Sequence, residues 1–175
     1  MSFLDDAAWL EQDEAGWTPV TLPASMTSES FVSGDTSGRR LRVRYFQDDA
    51  DRTLRAKALF GPGTQGPPGH AHGGSMAALL DEALGGVAWM HGHHALAAEL
   101  NTRFRAMLPI GERCVVASRI RSVDGRKVRV EGTLRGLGGR IFAEGEALFL
   151  TIDLAKLGVP ADEVSNMFAR RIGRA

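Results

Sequence analysis

Alternation of apolar and polar residues predicts that most of the chain is β-strand. From residue 39 the pattern has period two, with Leu41, Val43 and Tyr45 on one face and arginines on the other, which indicates a strand with one buried face. The same alternation returns in four later runs, and a Gly-Gly pair predicts a tight turn into a sixth strand. The five further strands are expected at 53–60, 95–106, 112–123, 127–137 and 140–153.

One segment in the middle of the chain has the spacing of a helix instead. Residues 61–70 are rich in Gly and Pro and predict a shaped loop. Residues 75–91 then place Met76, Leu80 and Leu84 on one face, which is typical of a helix packed against a core. Because strands and helices do not alternate, a doubly wound parallel sheet is disfavoured. The order favours an α+β domain in which an antiparallel sheet curves around one central helix.

The two ends of the chain differ from this central region. Residues 1–37 combine a short predicted helix around 5–14 with a stretch rich in Ser, Thr, Gly and Pro, so we expect an N-terminal arm or cap whose two tryptophans pack against protein. Residues 160–172 begin with Pro, carry acidic residues early and arginines late, and predict a peripheral helix. The expected division is an arm at 1–37, a main domain at 38–155 and a C-terminal helix at 156–175.

Composition suits one globular domain and argues against several classes of partner. The chain has 175 residues, 43% of them hydrophobic, and its 21 Lys and Arg balance 21 Asp and Glu, so no net charge attracts nucleic acid or an anionic membrane. It contains no apolar run that would span a membrane and no basic leader, so we expect a cytoplasmic protein. Cys114, the only cysteine, lies in an apolar run and is expected to be a buried, inert thiol.

The candidate chemistry lies where the loop meets the helix, in the stretch His72-Gly73-Gly74 and the residues after it. Glycines at a helix start expose backbone N–H groups that have no partner within the helix and lie at the positive end of its dipole, which is the geometry of an oxyanion hole. Asp81 follows about two turns later, roughly 10–12 Å along the axis. Adjacent helical residues point about 100° apart, so we expect only Asp81 or Glu82 to face a given pocket. Taken alone, Asp81 could also lie on a solvated helix face.

These residues together resemble a known family. His72-Gly73-Gly74, followed after six residues by Asp81 and placed between a Pro- and Gly-rich loop and a series of strands, resembles the motif of the hotdog-fold acyl-CoA thioesterases, in the group of the phenylacetate-pathway thioesterase and the thioesterase superfamily members. Residues 104–111 and 140–149 resemble two further segments of that family. The resemblance covers roughly residues 53–153. It implies the hotdog fold and hydrolysis of an acyl-CoA thioester without a metal or other cofactor.

The resemblance also implies roles for individual residues. The backbone N–H of Gly73 would polarise the thioester carbonyl, His72 would shape the loop, and Asp81 of a partner subunit would act as general base on water or as nucleophile, both roles remaining open. Further candidates for substrate binding are Gly74, Gln65, His70, Ala97 and Arg105. Because such a site is shared between subunits and a curved sheet has open edges, we expect a homo-oligomer, either a dimer or a dimer of dimers.

Two departures from the family pattern keep a second function open. Ala97, sixteen residues beyond Asp81, occupies a position where the family often has a Ser or Thr that orients the attacking water. Gly66 replaces an Asn of the loop, with Gln65 beside it as a substitute. Since a positioned water contributes much to the rate, the alternative is a non-catalytic module that binds acyl-CoA or regulates in response to it.

Three other groups of residues have alternative interpretations. His91, His93 and His94 lack a carboxylate or thiolate at a ligating spacing, so we expect no metal site. The arginines of the first strand could hold the phosphates of coenzyme A or lie on a solvated face. The side chains of Trp89, Phe60 and Met76 could line an acyl tunnel or belong to the core.

Overall fold

The computed structural model describes residues 8–22 and 29–154, which form one seven-stranded sheet and one long helix, Gly73–Met90, here called the central helix. All neighbouring strands are antiparallel, and their order across the sheet is β1-β2-β3-β5-β6-β7-β4. The strands are β1 (Trp17–Val20), β2 (Leu41–Asp48), β3 (Leu54–Phe60), β4 (Ala95–Phe104), β5 (Arg113–Asp124), β6 (Lys127–Gly136) and β7 (Ile141–Thr151).

The central helix packs on one face of this sheet and contacts strands β3 to β7. Its apolar residues Leu79, Leu80 and Leu84 are fully buried there. Gly132 and Gly145 lie beneath it, where an added Cβ would come within 3.1 Å of the Leu84 side chain, so these glycines allow the helix to approach the sheet closely. The α+β arrangement predicted from the sequence is therefore confirmed.

The six predicted strands and the predicted helix are all present, with ends within two residues of the expected positions. The helix begins at Gly73, two residues earlier than its apolar spacing indicates, because His72 caps it. Cys114 is buried as expected, and burial raises the pKa of its thiol, which keeps it protonated. None of the helices within the described residues has the length and apolarity needed to cross a membrane.

The N-terminal segment contains a strand that the sequence analysis did not predict. Residues 17–20 form β1, with Trp17 opposite Asp48 and Val20 opposite Tyr45 of β2. Pro19 has no N–H to donate, so a strand containing it is stable only at a sheet edge, and β1 is an edge strand. Residues 8–11 are helical, as part of the predicted helix at 5–14, while the predicted C-terminal helix lies outside the described residues.

The polar residues that alternate along β3 lie on a face that the N-terminal segment covers. Lys57, on this face, is only 1% exposed. Its ammonium group donates to the carbonyls of Trp9 (3.2 Å) and Gln12 (2.7 Å) and pairs with Glu14 at 2.5 Å. The Trp9 ring lies 5.1 Å from the same nitrogen, which is a cation–π contact. The segment is thus fixed to the sheet by a buried charge whose hydrogen bonds are satisfied.

Candidate active site

The loop before the central helix is held by its own backbone. Pro62–Thr64 forms a short 3₁₀-helix that is bonded to the two residues before β2, with the N–H of Gly61 donating to the Arg40 carbonyl at 2.7 Å and the N–H of Gly63 to the Arg39 carbonyl at 2.5 Å. The Thr64 carbonyl accepts the N–H of His72 at 2.7 Å. A Cβ at Gly61 would lie 2.2 Å from the carbonyl oxygen of Gly38, so only glycine fits there. The loop therefore presents His72 in a fixed position.

Two predicted site residues serve this loop internally. The Gln65 side-chain oxygen accepts the N–H of Gly69 at 3.0 Å. The Nδ1 atom of His70 lies 2.9 Å from the Pro68 carbonyl, which fixes the ring tautomer with the proton on Nδ1. Both contacts close the turn around 65–70. The Gln65 side-chain oxygen and the His70 Nδ1 atom therefore stabilise the loop.

His72 caps the helix and leaves one backbone N–H available. Its Nδ1 atom accepts the N–H of Gly74 at 2.9 Å, and its carbonyl accepts the N–H groups of Ser75 and Met76. The N–H of Gly73 has no hydrogen-bond partner among the described residues. Gly73 also lies against the Phe104 ring, which a Cβ would approach to 3.1 Å. The first helical N–H is thus free at the positive end of the dipole, as an oxyanion donor must be.

Asp81 borders a cavity of about 300 Å³ whose lining is mainly apolar. The cavity is formed by Leu22, Asp81, Glu82, Gly85, Gly86, Trp89, Ala95, Leu96, Ala97 and Phe149. Burial raises the pKa of the Asp81 carboxyl above its usual range, and no hydrogen bond or ion pair from the described residues opposes that shift. A half-buried carboxylate without a partner is costly for stability, and such groups are concentrated at functional sites. The cavity also brings Ala97 beside Asp81.

Glu82 borders the same cavity, so the expectation that only one of the two carboxylates faces a given pocket is wrong. Its Oε1 atom accepts a short hydrogen bond from the Tyr45 hydroxyl, and its Oε2 atom accepts one from Ser30 at 3.5 Å. Burial and the Glu82 charge together raise the pKa of Tyr45, which keeps the phenol protonated as a donor. Glu82 is therefore held by hydrogen bonds, while Asp81 is available for chemistry.

The helix start opens onto a second cavity, of about 450 Å³, that does not include Asp81. Gln65, His72 and Gly74 line it, together with Arg40 of the segment entering β2. Eight residues separate Gly73 from Asp81, which is about 12 Å along the helix axis. Gly73 does not line the cavity that contains Asp81, and its neighbours His72 and Gly74 line the second cavity. Within one chain the candidate oxyanion donor and the candidate carboxylate therefore do not share a cavity.

The arginines considered for phosphate binding are mostly paired. Arg105 lies outside both cavities and pairs with Glu144 at 2.6 Å. In β2, Arg42 pairs with Glu11 at 2.9 Å and Arg44 with Asp13 at 2.6 Å, so these two hold the N-terminal segment. Arg40 alone of this group lines a cavity next to the helix start.

The histidine cluster after the central helix makes structural contacts. His91 Nε2 lies 3.0 Å from the Arg52 carbonyl, and the His94 ring packs on Trp89 with ring centroids 5.0 Å apart. Across the described ranges 8–22 and 29–154, no three His, Cys, Asp or Glu side chains are grouped as metal ligands.

Several residues at these cavities were not identified from the sequence. Leu22 belongs to a segment without periodicity, and Phe149 carried only the signal of a strand's buried face. Tyr45, which donates to Glu82 but lines neither cavity, carried the same signal. Among the three residues considered for a tunnel, Trp89 lines the cavity beside Asp81, whereas Phe60 and Met76 are buried in the core. Which strand residues line a cavity together with the helix depends on the order of the strands in the sheet, which the sequence pattern does not give.

The unpaired Asp81 predicts a measurable effect on stability. Because its pKa is higher in the folded than in the unfolded chain, ionisation costs folded stability, and this cost is fully present above the folded pKa and disappears as pH falls below 3.8. Asp81→Asn should raise the free energy of unfolding at pH 7 by about 1 kcal/mol, since the carboxylate is still partly hydrated. Denaturant melts of both proteins at pH 7 and pH 3.5 check this. An equal difference at both pH values would contradict it.

Comparison with known proteins finds sequence similarity to thioesterases. Residues 68–143 match the model of the thioesterase superfamily. An acyl-coenzyme A thioesterase of Mus musculus is 33% identical over 132 residues, which are 74% of this chain and 56% of that protein. The chain spans about half the length of the curated relatives it matches.

Solved structures of two other proteins are similar to this chain in fold. The crystal structure of a thioesterase superfamily protein is 34% identical, with a TM-score of 0.60 over 62% of this chain and 53% of that chain. A protein from Bacillus halodurans, crystallised with CoA, is 26% identical, with a TM-score of 0.52 over 56% of this chain and 66% of that one.

Proposed function

The chain carries a domain of the thioesterase superfamily with the hotdog fold, and from this premise we propose that it hydrolyses an acyl-CoA thioester to a carboxylic acid and free coenzyme A. The observation that carries the proposal is the Asp81 carboxylate, which borders an apolar cavity, has no hydrogen-bond partner among the described residues and has a raised pKa. Relatives named acyl-coenzyme A thioesterases and a neighbour crystallised with CoA support the substrate class.

The chemistry follows from what the two groups can do. The Gly73 N–H would donate to the thioester oxygen and stabilise the negative charge that develops on it. Asp81 would either take a proton from water as the water oxygen attacks the carbonyl carbon, or attack that carbon itself and form an anhydride that water then opens. In both routes the C–S bond breaks, the thiolate leaves and takes up a proton, and the carboxylic acid is released. The raised pKa of Asp81 strengthens it as a base.

We further propose that the site forms between two copies of the chain. Gly73 does not line the cavity of Asp81, and its neighbours His72 and Gly74 line a different one, so a second copy is needed to bring Gly73 and Asp81 together. Strand β4 is at the edge of the sheet and exposes Leu96, Leu100 and Phe104, and Phe104 touches Gly73. Apolar side chains on an unpaired edge favour pairing with another strand. A homodimer is the smallest assembly that satisfies this geometry, and a dimer of dimers is compatible with it.

Ala97 supports a second candidate function, binding of acyl-CoA without turnover. Its methyl group lies at the cavity that contains Asp81, where a hydroxyl would be needed to orient water from this strand. Without that hydroxyl, the positioning of water depends on other groups, and the rate falls accordingly.

One experiment separates the two functions. Release of free thiol is measured for acetyl-, octanoyl-, palmitoyl- and phenylacetyl-CoA, and binding of each is measured by calorimetry. Turnover well above the spontaneous rate on at least one substrate supports hydrolysis. Binding of acyl-CoA without thiol release supports the second function, and neither binding nor release would overturn both.

A further inference from the structure

The cavity beside Asp81, here called the channel, is lined over about two turns by the central helix. Asp81, Gly85 and Trp89 are spaced by four residues, so they line one stripe of the helix. The Asp81 carboxylate lies at one end of this stripe and the Trp89 indole at the other. Gly85 lies between them and has no side chain to fill the space. Leu22, Ala97 and Phe149 belong to other parts of the same lining.

The far wall of this channel is held in place. The Trp89 Nε1–H donates to the Ala95 carbonyl at 2.9 Å, and His94 packs against the indole ring. Phe149 packs over Gly85, where a Cβ would come within 3.2 Å of its ring, so any side chain there would narrow the channel. A hydrogen-bonded indole is a fixed barrier, because moving it would leave a polar N–H without a partner.

Resting on the proposed function, we propose that Trp89 ends the acyl pocket and that the site selects linear acyl groups of medium length. Asp81 and Trp89 are eight residues apart, about 12 Å along the helix. An extended chain advances about 1.3 Å per carbon, given C–C bonds of about 1.5 Å at tetrahedral angles. The channel therefore holds an acyl group of about eight to ten carbons when its carbonyl lies beside Asp81.

Binding measurements test this length limit directly. In the Asp81→Asn protein, which leaves the thioester intact, the Kd values of acyl-CoAs from four to sixteen carbons are measured by calorimetry. Affinity should rise about fourfold per methylene at most, stop rising near ten carbons, and fall for longer chains. A steady rise through sixteen carbons, or no dependence on length, would overturn the inference.

Two variants move the limit in opposite directions. Adding Trp89→Ala opens the channel and should tighten binding of the fourteen-carbon acyl-CoA at least about tenfold, whereas Gly85→Val should weaken binding of the eight-carbon compound by a similar factor and spare the four-carbon one. Trp17→Ala, at a tryptophan on β1 that lines neither cavity, should leave the profile unchanged. If Trp89→Ala does not fold, Trp89→Phe should give a smaller change in the same direction.

The same panel separates this inference from the proposed function. Suppose that the wild type hydrolyses several acyl-CoAs and that the Trp89 variant has the same dependence on chain length. This result would overturn the length limit and leave thioester hydrolysis standing. Binding with the expected break near ten carbons but no thiol release would overturn hydrolysis and leave Trp89 as the end of a binding pocket. Neither binding nor release would overturn both.

Discussion

Replacing Asp81 by asparagine is expected to lower kcat/KM for the best acyl-CoA substrate by at least about a hundredfold, the scale of lost general base catalysis. Asparagine has nearly the same shape, so the cavity beside it and the helix should be unchanged. It can neither accept a proton nor attack a carbonyl carbon, so both routes proposed for Asp81 fail. The measurement is thiol release at saturating and limiting substrate, wild type and variant side by side.

The matched control for this variant is Asp124→Asn, the same chemical change at the exposed end of β5. It should retain wild-type kcat/KM. Wild-type activity should also fall at acidic pH with a midpoint above 3.8, because protonation of Asp81 removes the base and burial raises its pKa. An Asp81→Asn protein that keeps more than a tenth of the wild-type rate would rule out the proposed role.

Much of the fold was predictable because its elements follow simple periodicities. Six strands alternate apolar and polar positions, and the central helix has apolar residues every three or four positions, so local pattern and final structure agree. The local pattern does not predict features of the fold that depend on contacts between distant parts of the chain. Pro19 argues against a strand until the edge position of β1 is known, and Lys57 indicates a solvated face until the N-terminal segment covers it.

The candidate site was less predictable, because its residues meet only through the topology. The motif around Gly73 and Asp81 is local and can be found by its spacing. The contact between Phe149 and Gly85 joins residues far apart in the sequence, and the local sequence of neither segment predicts it. That Glu82 is engaged while Asp81 is available depends on Tyr45, 37 residues before Glu82. Sequence patterns therefore identify the candidate pair Gly73 and Asp81 but not the residues that line the cavity around Asp81.

Replacing Gly73 by proline is expected to lower kcat/KM by about a hundredfold to a thousandfold, the scale of removing one oxyanion donor. Proline is well tolerated at the first position of a helix, and His72, at φ −66° and ψ 139°, already has the extended conformation required before proline. The substitution thus removes the N–H with little other change. Gly73→Ala is the control, since it keeps the N–H and adds the same Cβ against Phe104. Equal losses in both variants would point to the contact with Phe104 instead.

The two inactive variants together test whether the site is shared. When Asp81→Asn and Gly73→Pro chains are co-expressed in equal amounts with different tags, about half of the dimers are mixed. If the site joins Gly73 of one subunit to Asp81 of the other, each mixed dimer has one site with both groups intact and one with neither. Activity should then return to about a quarter of wild type, far above either variant alone. If both groups act within one chain, every site in the mixture lacks one of them, and no activity returns.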